Sequence, residues 1–524
     1  AIIELFHLLP PAPEKFMDKL SRLVVELELK LPASGEFSQM RSPYRAPFTK
    51  FLNRYPSEAL DYFLERLRDN AVAPGRDPSA LCKLFQFILK SPGASPLRDE
   101  LRKPEMEERL MRHTFNADPM NPSKDDLRFQ GIAAVRTMCK FHPQFLCERP
   151  RILDALVNLW RSNDRKARLA GEEGLELAHL LESKMLVKCL LSYVRQDSID
   201  TAPNSKASVI LFSMLSIFNV RTVVDYSFLK QFYVNEVARR YSLAQRRGIV
   251  TAMLLYCKDT NTSQELKVQA LQLIIIPMLT SAFSQPEPQT QLLDEDIITL
   301  IVKSLLDPGD DVVSTYEEPF HIELLQLATL LIKHLKKELV NHRKELIKFA
   351  WDRLKKDEST SKQWAYVNVC RFIEAYDAPH KIILQVYVAL LRAYQPEQRT
   401  LLKQALDILT PALPKRLPPA EHKYPIWIRY TKKIIVEEGH SLPHLIHIWH
   451  FLVRHADLFY SSRAQFVPQM VNSLNRIGMA NSCPVENRKL AIDLADLVIT
   501  WDRTRSAAAR AAEQPEPMQA EGGR

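Results

Sequence analysis

Residues 401–414 read Leu-Leu-Lys-Gln-Ala-Leu-Asp-Ile-Leu-Thr-Pro-Ala-Leu-Pro. Leu402, Ala405, Leu406 and Leu409 recur at i, i+3, i+4 and i+7, which sets them on one face of a helix, and Pro411 removes a backbone donor and closes the turn. With Gln395-Pro396-Glu397 in front, the stretch has the turn-helix-turn form of one unit in a helical array. The same spacing returns on either side. Ile347, Ala350, Trp351 and Leu354 make a second stripe with Lys344, Lys348 and Lys355 opposite; Leu490, Leu494, Leu497 and Trp501, with Val498 beside them, make a third. Between stripes lie the prolines, clustered at 10–13, 43–47, 92–96, 286–288 and 411–425. First helices of successive pairs are predicted near Leu127, Arg165, Ala207, Arg246, Leu324, Tyr366, Leu401 and Leu445, mostly 35 to 45 residues apart. HEAT and armadillo units repeat at roughly 40–47 residues. Strand is not expected, because β-branched runs such as Ile274-Ile275-Ile276 sit inside helical patterns and do not alternate.

The expected fold is therefore all-α: a HEAT/armadillo-like α-solenoid of stacked antiparallel helix pairs, continuous over 1–502, with 503–524 as disordered tail or linker once the pattern stops at Trp501. Composition narrows the function. Only 12 of 524 residues are glycine, against roughly 7% as the usual share, and phosphate loops, dinucleotide turns and nucleophile elbows all need glycine where backbone meets ligand. No G-x-S-x-G, Walker loop, H-E-x-x-H, H-R-D or D-F-G occurs. Neither catalytic residues nor a cofactor are expected, and the chain reads as no enzyme. No run of 18 apolar residues appears; the nearest, Leu271 to Leu279, is interrupted by Gln272 and Pro277, so no membrane partner is expected. Seven cysteines without C-x-x-C spacing read as reduced, buried thiols. The opening Ala1-Ile2-Ile3, without an initiator methionine, reads as a piece of something longer.

Two constellations carry possible chemistry. His440, His444, His447 and His450 crowd one helix, and His444 with His447 at i, i+3 could share a metal ion; a third ligand is wanting, and a polar face opposite the Leu445, Ile448, Trp449, Leu452 stripe is the plainer reading. Basic pairs recur at Arg239-Arg240, Arg246-Arg247, Lys336-Lys337 and Lys432-Lys433. None is interleaved with stacking aromatics, so direct nucleic-acid contact is not expected. The best single candidate for an acidic protein partner is the ridge of Arg343, Lys344, Lys348 and Lys355, left outward by the stripe through Ile347 and Trp351 and diluted by Glu345 and Asp352.

The block 401–414, followed by Tyr430-Thr431-Lys432-Lys433-Ile434-Ile435-Val436-Glu437-Glu438-Gly439-His440, resembles the HEAT region of the transformation/transcription domain-associated proteins, pseudokinase scaffolds of the phosphatidylinositol-3-kinase-related kinase family. Further matches in order include Ser42-Pro43-Tyr44-Arg45, Pro96-Leu97-Arg98-Asp99, Tyr241 to Arg247, Lys381 to Val386 and Arg488 to Leu494, so the resemblance covers nearly all 524 residues. It implies a non-catalytic, nuclear segment of transcription coactivator complexes, of SAGA type and of the histone H4-acetylating type, whose partners are other subunits of those acetyltransferase complexes and transcription activators. The sequence departs from the family's animal pattern around 91–125 and 284–318, so contacts borne by those loops do not transfer. Another large helical adaptor, such as a nuclear transport receptor, is the alternative that the same physics allows.

Overall fold

Every regular element among the described residues is helical, as the spacing predicts. The computed structural model describes residues 12–31, 42–69, 78–116, 124–170, 177–220, 224–355, 360–393, 399–419, 423–479 and 483–513. The chain divides into two compact units, Ala1–Leu255 and Tyr256–Arg524. Each of the eight predicted starting points lies within a helix, and the long gap between Arg246 and Leu324 holds further helical stretches, the longest being Gln264–Phe283 and the run from Glu295 to Leu306.

In the first unit, α1 (Pro78–Lys90), α2 (Lys124–Phe141) and α4 (Leu177–Val194) lie side by side in chain order, with α3 (Pro150–Arg161) packed on α4. Ile132, Val135 and Met138 of α2 are wholly buried, as are Leu186, Cys189 and Leu190 of α4. In the second unit, α5 (Glu318–His334), α7 (Ser361–Ala375) and α9 (Arg399–Leu409) form one layer, α6 (Arg343–Leu354) and α8 (His380–Arg392) lie against it, and α10 (Ile426–Glu438) packs on α8. Beyond them come α11 (Leu442–Arg454), α12 (Val467–Gly478) and α13 (Val485–Glu513). The predicted stripe of Leu402, Ala405, Leu406 and Leu409 is buried, and so are Trp449 and Trp501.

The repeat is visible in the hydrogen bonds. Tyr62 donates to Asp18 44 residues away, Gln86 to the carbonyl of Gln130 at 44, Asn368 to that of Leu325 at 43, Tyr376 to that of Lys336 at 40, and Tyr387 meets Thr431 at 44. Thr431 donates its own hydroxyl hydrogen to the Trp427 carbonyl, so Tyr387 is the donor in that contact. Each such bond is worth about 0.5–1.5 kcal/mol net, against about 1.5–3 for each fully buried large apolar side chain. Packing therefore supplies the stability, and the polar contacts select the register in which neighbouring units meet.

The last helix, α13, continues through Trp501 to Glu513, helped by the high helix propensity of its alanines and by Arg505 pairing with Asp502 at 2.8 Å, while beyond Trp501 its described side chains up to 510 are largely exposed. The remainder of the expected tail, 514–524, lies outside the described residues. The apolar run Leu271 to Leu279 lies within a longer helical stretch. Gln264–Phe283 is long and apolar enough by composition to cross a bilayer, but over half of it is buried within the fold and it packs on α5. A π-helical turn at Leu271–Ile275 precedes Pro277, interrupting the i→i−4 ladder where the missing proline donor would break it.

Close packing of helices makes a sharp test at Gly131. A Cβ there would stand 2.6 Å from Oγ1 of Thr114, a buried, β-branched side chain held by its bond to the Leu110 carbonyl. Gly→Ala in a free helix gains roughly 0.5–1 kcal/mol, whereas overpacking a core costs roughly 1–3. Gly131→Ala should therefore destabilise the first unit despite the better helix former, read as a lower urea midpoint; an unchanged or raised midpoint would show that Thr114 can move away.

Candidate partner-binding surface

The cationic ridge lies on α6. Its buried side is Leu346, Phe349, Ala350 and Arg353, one residue removed from the predicted stripe. Of that stripe only Ala350 is buried; Ile347, Trp351 and Leu354 are partly exposed. The reason is Arg353. Its guanidinium stacks inward beside His321 of α5, Nη1 to Nε2 3.0 Å, and burial depresses its pKa. A helix face containing an arginine does not read as core, whereas the apolar stripe next to it does.

The exposed edge of that stripe lines a groove of about 560 Å³ between α6, α7 and the start of α8. Ile347, Trp351, Ile373, Pro379 and Ile382 give it apolar walls, and Arg343, Lys344, Lys348 and Lys355 all border it. The four cations share one groove, but they are not equivalent. Lys348 is held between Asp307 at 3.0 Å and Asp310 at 3.3 Å, and these hydrogen bonds raise its pKa. Gly309, at φ 110°, turns the chain in the left-handed region that suits glycine, which brings aspartates on both sides of it to one ammonium. Lys355 pairs with Asp352 at 3.2 Å. Arg343 bonds the Val340 carbonyl and faces the Tyr376 ring at 6.0 Å. Among the described residues, Arg343 and Lys344 have no carboxylate partner. Glu345 does not dilute the groove, because it faces Lys303 at 2.5 Å, and that hydrogen bond holds its carboxyl below the usual range.

The histidines do something other than expected. His447 is buried, not part of an open polar face, and its Nε2 donates to the carbonyl of Leu390 at 3.2 Å; Nε2 of His444 donates to that of Arg392 at 3.1 Å. The two rings cap the C-terminal end of α8, where the last carbonyls of any helix lack internal partners. His440 meets the Glu437 carbonyl at 3.0 Å, and His455 meets Asp407 at 3.0 Å. Among the described residues no three His, Cys, Asp or Glu side chains are placed to hold a metal ion. Five of the seven thiols are buried; Cys147 is exposed and Cys483 is partly so.

Helix pairs stacked at intervals of about forty residues, with an amphipathic groove on an outer helix, define a HEAT-type helical array. The chain belongs to the Tra1 family: the family model described as the Tra1 HEAT repeat ring region matches residues 1–522. It is 38% identical to the probable transcription-associated protein 1 of Dictyostelium discoideum, 31% to the human transformation/transcription domain-associated protein, and 26% to the SAGA complex/NuA4 acetyltransferase complex subunit TRA1 of Saccharomyces cerevisiae, each over 96% of this chain. The chain spans 10% to 13% of the length of these relatives. Among solved structures, importin β aligns over 94% of this chain and 71% of its own, at 10% identity and a TM-score of 0.35, a likeness too distant to bear on fold or function. The family match sets aside the transport-receptor alternative.

The inequivalence of the ridge cations is testable by single charge reversals. Lys348→Glu should lower the melting temperature, because it places a third acid beside Asp307 and Asp310, whereas Lys344→Glu should leave it unchanged. Equal effects on melting would mean that the Asp307–Lys348–Asp310 cluster does not hold in solution.

Proposed function

We propose that this chain is a non-catalytic scaffold segment of nuclear transcription coactivator complexes that acetylate histones, presenting helical surfaces to other subunits and to transcription activators. The observation that carries the reading is the family match over almost the whole chain, together with relatives whose names place them in transcription and, in yeast, in SAGA and NuA4. The physics of the array supports it. Stacked pairs bury their cores between neighbours and leave long outer faces free, a geometry suited to holding partners rather than enclosing a substrate. The buried titratable groups serve packing: Glu323 accepts from Gln272 at 2.7 Å with its pKa raised by burial, and Arg353 sits against His321. The ridge of Arg343, Lys344, Lys348 and Lys355 is the proposed contact for an acidic protein surface, with Arg343 and Lys344 as its unspent charges.

Affinity purification of the full-length parent protein tests the reading. Histone acetyltransferase subunits should co-purify; recovery with a small GTPase and transport cargo instead would overturn it. Reversing Arg343 and Lys344 together in the parent should leave folding intact, since surface changes seldom exceed about 0.5 kcal/mol each, and should weaken at least one partner with a marked salt dependence. Undiminished recovery of every partner at low salt would reduce the ridge to a solvated face.

A further inference from the structure

We propose that the groove beside α6 receives an amphipathic helix from a partner protein, its apolar face set against Trp351, Ile347 and Ile382 and its acidic flank toward Arg343 and Lys344. The inference rests on the scaffold reading and specifies what one of its surfaces holds. Three observations carry it. The first is the apolar wall: Trp351 and Ile347 would complete the α6 core stripe if the helix were turned by one residue, but Arg353 occupies that arc and leaves them at the groove. A tryptophan partly exposed in a concave site among aliphatic side chains is the kind of anchor point on which interfaces concentrate their energy.

The second is a charge imbalance localised to one end. Four cations and two acids line the groove, and both acids are already engaged, Asp352 with Lys355 and Asp377 with Arg416. Lys348 is satisfied by Asp307 and Asp310 outside the lining. The uncompensated charge is therefore that of Arg343 and Lys344, at the first turn of α6. Two cations a turn or less from an apolar wall complement a flank of one or two carboxylates. They do not complement a nucleic-acid backbone, which needs a longer run of cations and would meet Asp352 and Asp377 in the walls.

The third is the nature of the walls. Away from their ends α6, α7 and α8 satisfy their backbone groups internally, so the helical walls of the groove offer no row of free N–H and C=O groups to an extended peptide. A ligand desolvated here must satisfy its own backbone, and a helix does so; its i, i+3, i+4 and i+7 side chains then meet the apolar wall. The 560 Å³ opening takes side chains from one helical face, not a whole helix.

The test uses the 524-residue chain and two fluorescein-labelled synthetic peptides: a helix-forming peptide with leucine and phenylalanine at i, i+3, i+4 and i+7 and glutamates on one flank, and a scramble of the same composition. By fluorescence anisotropy the periodic peptide should bind about tenfold or more tightly than the scramble, the scale of one anchor side chain. Lys344→Glu should weaken it roughly fivefold at low salt and less at high salt. Trp351→Leu, and Ile382→Ser as a second variant should the first unfold, should abolish the preference for the periodic peptide while circular dichroism stays unchanged. Equal binding of the two peptides, binding indifferent to Trp351→Leu and Ile382→Ser in folded protein, or displacement by duplex DNA at equal concentration would each overturn the groove proposal. The scaffold reading fails separately, by the absence of acetyltransferase subunits from the purified parent.

Discussion

A two-helix unit can cover one apolar face with its own partner helix and must leave the other to a neighbour. α7 shows how far this goes. Ala365, Val367, Val369, Cys370, Phe372 and Ile373 are all buried, residues that point around most of the helix circumference, so α5, α6 and α9 all have to be in place before α7 is out of water. A helix apolar all round is stable only as core, and here the core is made of the adjoining repeats. Nearest-neighbour stacking of this kind makes stability a sum over interfaces and ties the roughly forty-residue spacing to the fold.

The outer helices follow from the same constraint. α6 covers α7 on one side only and buries four residues, one of them Arg353. The face of α6 turned to the groove is free of packing duty, which is why charged residues and a partly exposed tryptophan can accumulate there without loss of the fold. Some polar groups that go inward are matched across repeats. Asn368 Nδ2 donates to Thr329 Oγ1 at 3.0 Å, and Thr329 donates to the Leu325 carbonyl. Slipping the units by one residue would leave these groups unpaired in the core, at about 1–3 kcal/mol each, so the polar pairs enforce the register that packing alone would leave soft.

The fold was legible because its signal is redundant. Leu402 to Leu409, Leu445 to Leu452 and Leu490 to Trp501 each show the helical period within one segment, and prolines mark the ends. The surface was legible only in part. Spacing alone put Arg343, Lys344, Lys348 and Lys355 together, since that depends on one helix, but which of them are neutralised depends on Asp307 and Asp310, some forty residues away in chain and brought near by a turn at Gly309. The buried face of α6 was missed by one residue because Arg353 pairs with His321, a contact between two helices that no local window contains. His444 and His447 were legible as neighbours, yet their role as caps on α8 depends on carbonyls at 390 and 392, which carry no sequence signature at all.

These failures share a cause, and it bears on where function can be found in such proteins. Within one helix the period fixes which residues are adjacent, and a sequence reading recovers it; between helices the partner of each polar group is set by the stacking offset, which is 32 residues for Arg353 and His321 but 57 for His447 and the Leu390 carbonyl. A charge therefore counts as available to a partner only after its neighbours across the stack are known. By that criterion a number of cations are already committed to carboxylates across the stack, as Arg195 is to Glu236 and Arg392 to Glu437. Net charge therefore does not say which surface attracts an acidic partner, whereas the first turn of α6 is a place where the stacking leaves cations uncompensated next to an apolar wall.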